Sequence, residues 1–167
     1  MAPGPRDACM DIRPAGFIGT SQHSLDKKNR LHLPKRILFR LTPEEKQRLY
    51  LTKGWDGCVA LYPPEEWVRF RNRFHQVLPD AKRKGRNVRR VLFASAAEVS
   101  VDSQGRILLP EHLREMAGIQ EKVVVNGVGD HVEIWSAERW AGILEEGSDA
   151  FEQAYEELSM QNLGGPA

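Results

Sequence analysis

No apolar run in the 167 residues approaches the ~20 that a membrane-spanning helix needs, so the sequence excludes a transmembrane segment. Cysteine is nearly absent. Cys9 and Cys58 have neither CxxC spacing nor enough partners for a disulfide framework, which fits a reducing, cytoplasmic setting. The first fifteen residues, with Pro3, Gly4, Pro5 and Pro14, lack the continuous apolar stretch of a secretory signal, and a flexible arm is expected over residues 1–16. Positive charge is missing from residues 141–167, which carry Glu145, Glu146, Asp149, Glu152, Glu156 and Glu157 and no Lys or Arg. The rest of the chain then sets 24 Lys and Arg against 17 Asp and Glu, a balance of +7 hidden beneath the overall +1. Its densest point is Lys82, Arg83, Lys84, Arg86, Arg89 and Arg90, and such segregation is a common footprint of a polyanion partner.

The residue patterns of catalysis are also missing. The five histidines, His23, His32, His75, His112 and His131, fall at no metal-ligand spacing, and neither a nucleophile elbow nor a phosphate loop is present. Gly127-Val128-Gly129-Asp130 starts like a dinucleotide fingerprint but lacks the third glycine and lies inside a hairpin pattern, so it reads as a turn. Asp26 and Asp102 could serve as paired general acid and base only with burial or a raised pKa, which an open cationic turn does not offer. The expectation is a protein that is not an enzyme and has no cofactor, metal or small-molecule substrate.

What the chain does contain is a repeat. Leu25-Asp26-Lys27-Lys28-Asn29-Arg30-Leu31-His32-Leu33-Pro34 returns as Val101-Asp102-Ser103-Gln104-Gly105-Arg106-Ile107-Leu108-Leu109-Pro110. Phe17 matches Phe93 at the same offset, while Gly54, Val59, Leu61, Tyr62 and Trp67 fall opposite Gly127, Val132, Ile134, Trp135 and Trp140 at an offset shorter by three. The first copy therefore has a longer connection after Pro34. The pattern divides the chain into an arm at 1–16, half-domains at 17–80 and 93–144, a basic junction at 81–92, and an acidic helix and tail at 145–167.

Each half reads as hairpin, short helix, hairpin, helix. Ala97 to Asp102 alternates as a half-buried strand should, Asp102 opens a turn, and Arg106 to Leu109 is the return strand, ended by Pro110. Gly105 can take the positive φ that reverses the chain, and Asn29 is among the non-glycine residues that accept the same geometry. Short helices follow at Lys35 to Leu41 and Glu111 to Ala117. Second hairpins turn at Gly54 to Gly57 and Gly127 to Asp130, helices carrying Trp67 and Trp140 come next, and a last amphipathic helix spans Ala150 to Ser159. A two-stranded hairpin is marginal alone, so the four are expected to share one core. The fold class is mainly β with short helices.

The duplicated Asp-x-x-x-Arg loops, with Leu61-Tyr62-Pro63 before Glu66-Trp67 and Glu133-Ile134-Trp135 before Glu138-Arg139-Trp140, resemble the MraZ family of bacterial transcription regulators, relatives of the AbrB and antitoxin-type DNA-binding folds. The resemblance covers roughly residues 17 to 158. It implies tandem half-domains forming a swapped-hairpin barrel, a ring-like homo-oligomer, and a nucleoid-associated repressor that binds repeated promoter boxes in duplex DNA upstream of the division and cell-wall gene cluster. The chain departs from the family at Asn29, where glycine is usual, and in its Pro-rich start and basic junction.

Lys27, Lys28 and Arg30 put three cations on one tight loop; with Lys35 and Arg106 they are the candidate DNA contacts, on turns shaped by Asp26, Asn29, Asp102 and Gly105. Two roles are open to each arginine: reaching a guanine edge, or bracing its own turn through the aspartate four residues before. Bracing is the better expectation for Arg106, because Ser103 and Gln104 replace both lysines. The Lys82 to Arg90 run reads either as a second phosphate contact or as a solvated linker. Trp67, Trp135 and Trp140 occupy repeat positions and are expected in cores rather than stacked on bases. The competing function is an antitoxin-like or scaffolding module whose basic face binds an acidic partner protein.

Overall fold

Apolar runs such as Val59-Ala60-Leu61 and Val123-Val124-Val125 make the inner strands here, but a strand's partner often comes from the other copy of the repeat. The structure is a computed structural model that describes residues 15–78 and 82–163. The arm expected at 1–16 lies almost wholly outside these residues, as do Cys9, the first residue of the junction and the last of the tail. In chain order the elements are β1 (Thr20–Ser24), β2 (Arg30–His32), α1 (Lys35–Leu38), α2 (Pro43–Gln47), β3 (Leu49–Lys53), β4 (Val59–Tyr62), α3 (Pro64–Val77) and α4 (Arg83–Ser95), then β5 (Ala97–Val99), β6 (Arg106–Leu108), α5 (Glu111–Met116), β7 (Lys122–Gly127), β8 (Val132–Ser136) and α6 (Ala137–Leu163). Residues through Ser136 form one compact unit and those from Ala137 a second.

The fold is mixed α and β, organised on a six-stranded antiparallel sheet in the order β1-β7-β8-β4-β3-β5. The second hairpins form as expected, β3 with β4 and β7 with β8, and Ala60 faces Glu133 where the two hairpins join. The first hairpins do not form as ladders. Their turns close, but β1 pairs with β7, β5 pairs with β3, and β2 pairs with β6 through Leu31 and Ile107. The barrel expected from the sequence is likewise not closed: β1 and β5 are free edges of the sheet, and β2 and β6 form a separate ribbon. Three-residue strands ended by Pro34 and Pro110 take each other as partners and are too short to bridge those edges as well.

Matching repeat positions are buried together. Leu31 and Ile107, Leu33 and Leu109, and Ile37 and Leu113 all lie in one core with Phe17, Leu51, Val125 and Ile134. The longer connection of the first half is α2, started by a capping box in which Thr42 Oγ1 accepts from the Glu45 amide (3.1 Å) and the Glu45 carboxylate accepts from the Thr42 amide (2.9 Å). A second cluster gathers Ala60, Tyr62, Trp67 and Leu92 beneath α3 and α4. Trp67 and Trp135 are core residues, whereas Trp55, on a 3-10 turn between β3 and β4, is 63% exposed. Arg73 of α3 donates to Asp130 (2.9 Å) in the β7–β8 turn, which ties a helix of the first half to a hairpin of the second.

Three further expectations change. The basic run, read as a second phosphate contact or a solvated linker, is helical from Arg83 to Ser95: Gly85 and Leu92 bury one face while every cation stays exposed. Phe93, matched in sequence to the buried Phe17, stands 42% exposed on that helix, its ring under the Arg89 guanidinium. The helices expected around Trp140 and over Ala150 to Ser159 are one continuous 27-residue helix, Gly142 and Gly147 included. Among the described residues no helix is long and apolar enough to cross a membrane.

Candidate nucleic-acid interface

Each Asp-x-x-x-Arg turn is held by its own carboxylate. Asp26 Oδ1 accepts from the amides of Lys28 (2.8 Å) and Arg30 (3.0 Å), and Oδ2 accepts from Arg30 Nε (2.7 Å). Asp102 repeats the pattern with the amides of Gln104 and Arg106 (both 2.9 Å) and Arg106 Nε (2.8 Å). The main chain closes each turn, Asn29 N–H donating to the Asp26 carbonyl and Gly105 N–H to that of Asp102. Asn29 has φ 59° and Gly105 φ 78°, the left-handed region both types tolerate. At Gly105 a second demand operates, because an added Cβ would sit 3.0 Å from Leu38 Cδ1 of α1.

The β2–β6 ribbon brings the two turns side by side. The Asn29 carbonyl accepts from the Leu109 amide (3.0 Å) and the Gly105 carbonyl from the Leu33 amide (2.9 Å), so each turn is hydrogen-bonded into the other half of the chain. Arg106 Nη1 lies 3.7 Å from Asp26 Oδ2, making Asp26 a carboxylate shared by both turns. The arginine side chains are 30% exposed at Arg30 and 20% at Arg106, so both brace turns and both keep an outer edge in solvent. Lys27 and Lys28 are exposed and have no ion pair among the described residues. Lys35, also exposed, opens α1 rather than standing on a turn.

Electrostatics separate the two turns. The Arg30 amide, with the guanidinium and the Lys28 amide behind it, holds the Asp26 carboxyl below its ordinary 3.8 against the opposing effect of burial; the Arg106 amide and guanidinium do the same at Asp102. Both aspartates are therefore ionised at neutral pH. The first turn keeps a surplus of positive charge from its two lysines, while Arg106 and Asp102 nearly cancel. A depressed carboxylate pKa stabilises the fold fully above the unfolded value and loses that contribution as pH falls through the folded one. The turns should therefore add no pH dependence between about pH 5 and 8 and should loosen only below about pH 4. Amide exchange at Lys28 and Gln104 across that range checks this; loosening near pH 6 would contradict it.

Sequence reasoning missed Arg36. Its guanidinium donates to Ser21 Oγ (2.7 Å) and to the carbonyls of Ile18, Gly19 and Val125, which pins α1 to strands of both halves. The one signal was the repeat itself: the matching residue is His112, whose Nε2 lies 3.0 Å from the Ser95 carbonyl. A polar side chain two residues after each proline anchors its short helix.

The family described as "MraZ protein, putative antitoxin-like" matches residues 17–90 and again 92–162. Transcriptional regulator MraZ of Heliobacterium modesticaldum is 42% identical over 142 residues, spanning 85% of this chain and 96% of the relative. Proteins of the same name from Syntrophomonas wolfei (41% identical over 142 residues, 85% of this chain and 96% of the relative) and Halothermothrix orenii (36% identical over 150 residues, 89% and 99%) match similarly. With both repeats matched and relatives of this identity along most of their length, the chain belongs to the MraZ family, one of transcriptional regulators and not of enzymes.

Proposed function

We propose that this chain is a cytoplasmic, nucleoid-associated transcriptional regulator that binds repeated boxes in promoter DNA through its paired Asp-x-x-x-Arg turns, and that it represses the division and cell-wall gene cluster. One observation carries the reading: two braced turns stand side by side, one with Lys27 and Lys28 free to meet phosphates and both with an arginine edge in solvent. The braced turns fix the backbone from which these cations project, so phosphate contacts from the lysines supply affinity and register while a guanidinium reaches a guanine edge. Lys35 supplies a further phosphate contact beside the turns. In this reading residues 17–80 and 93–144 are swapped-hairpin half-domains of the AbrB-like kind joined by the basic junction at 81–92, and the arm at 1–16 and tail at 145–167 lie outside them.

Three cations on one turn make only a few contacts. We take the protein to act as a ring-like homo-oligomer, in which several turns at fixed spacing add contacts at high effective concentration. The test is duplex binding by fluorescence anisotropy, with two or more boxes at varied spacing and in rising salt. Affinity should fall when about five base pairs are inserted between boxes and recover at about ten. Lys27→Ala with Lys28→Ala should reduce the salt slope by about 0.9 for each phosphate no longer neutralised. Equal affinity at every spacing rejects the ring mechanism. No salt-sensitive duplex binding, with retention of an acidic protein instead, favours the antitoxin-like or scaffolding module.

A further inference from the structure

Two features of the chain play no part in that reading. The first is an apolar groove on α3 and α4. Trp55, 63% exposed, stacks on Phe74 at 6.0 Å between ring centroids and stands between two cavities. One, of about 330 Å³, is bounded by Phe70, Val88 and Val91; the other, of about 350 Å³, by Tyr62, Val77 and Leu78. Val91 is 57% and Val77 77% exposed, far from what a finished surface leaves open beside a Trp. Lys53 lines the groove, and Lys84 stands one turn before Val88 on α4.

The second feature is α6. Leu144, Phe151, Tyr155 and Leu158 recur at spacings of seven, four and three, a single stripe on one side of the helix, and each is more than half exposed. Phe151 and Tyr155 stack at 6.0 Å, so the centre of the stripe is preordered. Glu145, Asp149, Glu152 and Glu156 run beside it at spacings of four, three and four. A groove with an apolar floor and a cationic rim thus has its complement in the same chain: an apolar stripe with an acidic flank.

We propose that α6 of a second copy of this chain docks in the α3–α4 groove, the Leu144 to Leu158 stripe covering Trp55, Phe74 and Val91 and the acidic row facing Lys53 and Lys84. The inference rests on the self-assembly part of the proposed function and supplies its contact. Duplex DNA is the poorer occupant, because phosphates satisfy the lysines and leave Trp55 and the valines uncovered. Two different patches of one chain that fit each other make a heterologous interface, the kind that closes rings.

The experiment is the mass of the full-length protein by light scattering and sedimentation at micromolar concentration. Val91→Glu, at an exposed position, should weaken association by about tenfold or more, with the melting curve of the protomer retained. Lys53→Glu with Lys84→Glu, and separately Glu152→Lys with Glu156→Lys, should each weaken it by about tenfold. Mixed in equal amounts, the two charge-reversed proteins should recover the wild-type mass, since each groove then meets a helix of opposite sign. A mass unchanged in all three variants leaves the oligomer standing and overturns this contact. A fall in mass without recovery on mixing overturns α6 as the occupant. Loss of duplex affinity at unchanged mass in Lys53→Glu with Lys84→Glu makes the groove rim a nucleic-acid surface and overturns it too. A monomeric wild type removes the ring of the proposed function along with it.

Discussion

Gly127→Ala is expected to destabilise the protein by about 3 kcal/mol, more than its single added methyl suggests. Gly127 ends β7, and a Cβ there would lie 2.5 Å from the Phe17 carbonyl carbon and the Ile18 nitrogen. Those are backbone atoms, and they have nowhere to go. Phe17 exchanges hydrogen bonds with Gly129 at 2.7 and 2.8 Å, the Gly127 amide donates to the Gly19 carbonyl at 2.9 Å, and the Phe17 ring is 1% exposed. Relief of the clash must peel the chain before β1 from the hairpin and uncover that ring. Gly142→Ala is the control: nothing stands within 4 Å of its Cβ, and in a helix interior the change should stabilise by up to about 1 kcal/mol. Urea unfolding of both variants decides, and a loss below about 1 kcal/mol at Gly127 would mean that the β1 edge yields easily.

The second large effect is on DNA. Arg30→Ala should cost about 1–3 kcal/mol in duplex affinity while leaving the fold intact, because Asp26 keeps its bonds to the turn amides and its contact with Arg106. Arg106→Ala should behave differently. Asp102 keeps its bonds to the turn amides but loses its guanidinium, and the link to Asp26 goes at once, so each turn loses an ion-pair contact and stability should fall with affinity. Gel shifts and circular dichroism on the two variants separate these roles. If Arg106→Ala weakens binding more than Arg30→Ala at unchanged stability, the assignment of the leading contact to the first turn is wrong.

The turns were legible in the sequence because their causes are local. An aspartate, a residue able to take positive φ and an arginine four positions on determine their own geometry, and Asn29 stood in for glycine as its chemistry allows. The short helices after Pro34 and Pro110 were legible for the same reason. Strand pairing was not. Nothing in Thr20 to Ser24 says that its ladder lies with β7 rather than with β2, since five polar residues give the strand no apolar face to set its partner. The α4 helix was masked by its own charge: six cations read as solvated chain, while the two positions that anchor it, Gly85 and Leu92, are sparse. The helix carrying Trp140 and the amphipathic helix over Ala150 to Ser159 read as two elements, because nothing in the residues between them shows that one runs into the other. The proximity of Arg106 to Asp26 followed from the ribbon and could not be read from either turn alone.

The exchange of strands between the halves also has a bearing on synthesis. When the first half has left the ribosome, β1 has no ladder, because its partner Asn126 for Thr20 is still untranslated, and β3 has one free side until β5 follows. High contact order of this kind slows folding, since the loop must close before the pairing repays it. The nascent chain therefore carries an unsatisfied strand edge for most of its translation, the condition in which chains associate wrongly with one another. The wholly polar β1, Thr20-Ser21-Gln22-His23-Ser24, suits that interval: an edge that must wait is built from residues that water can tolerate.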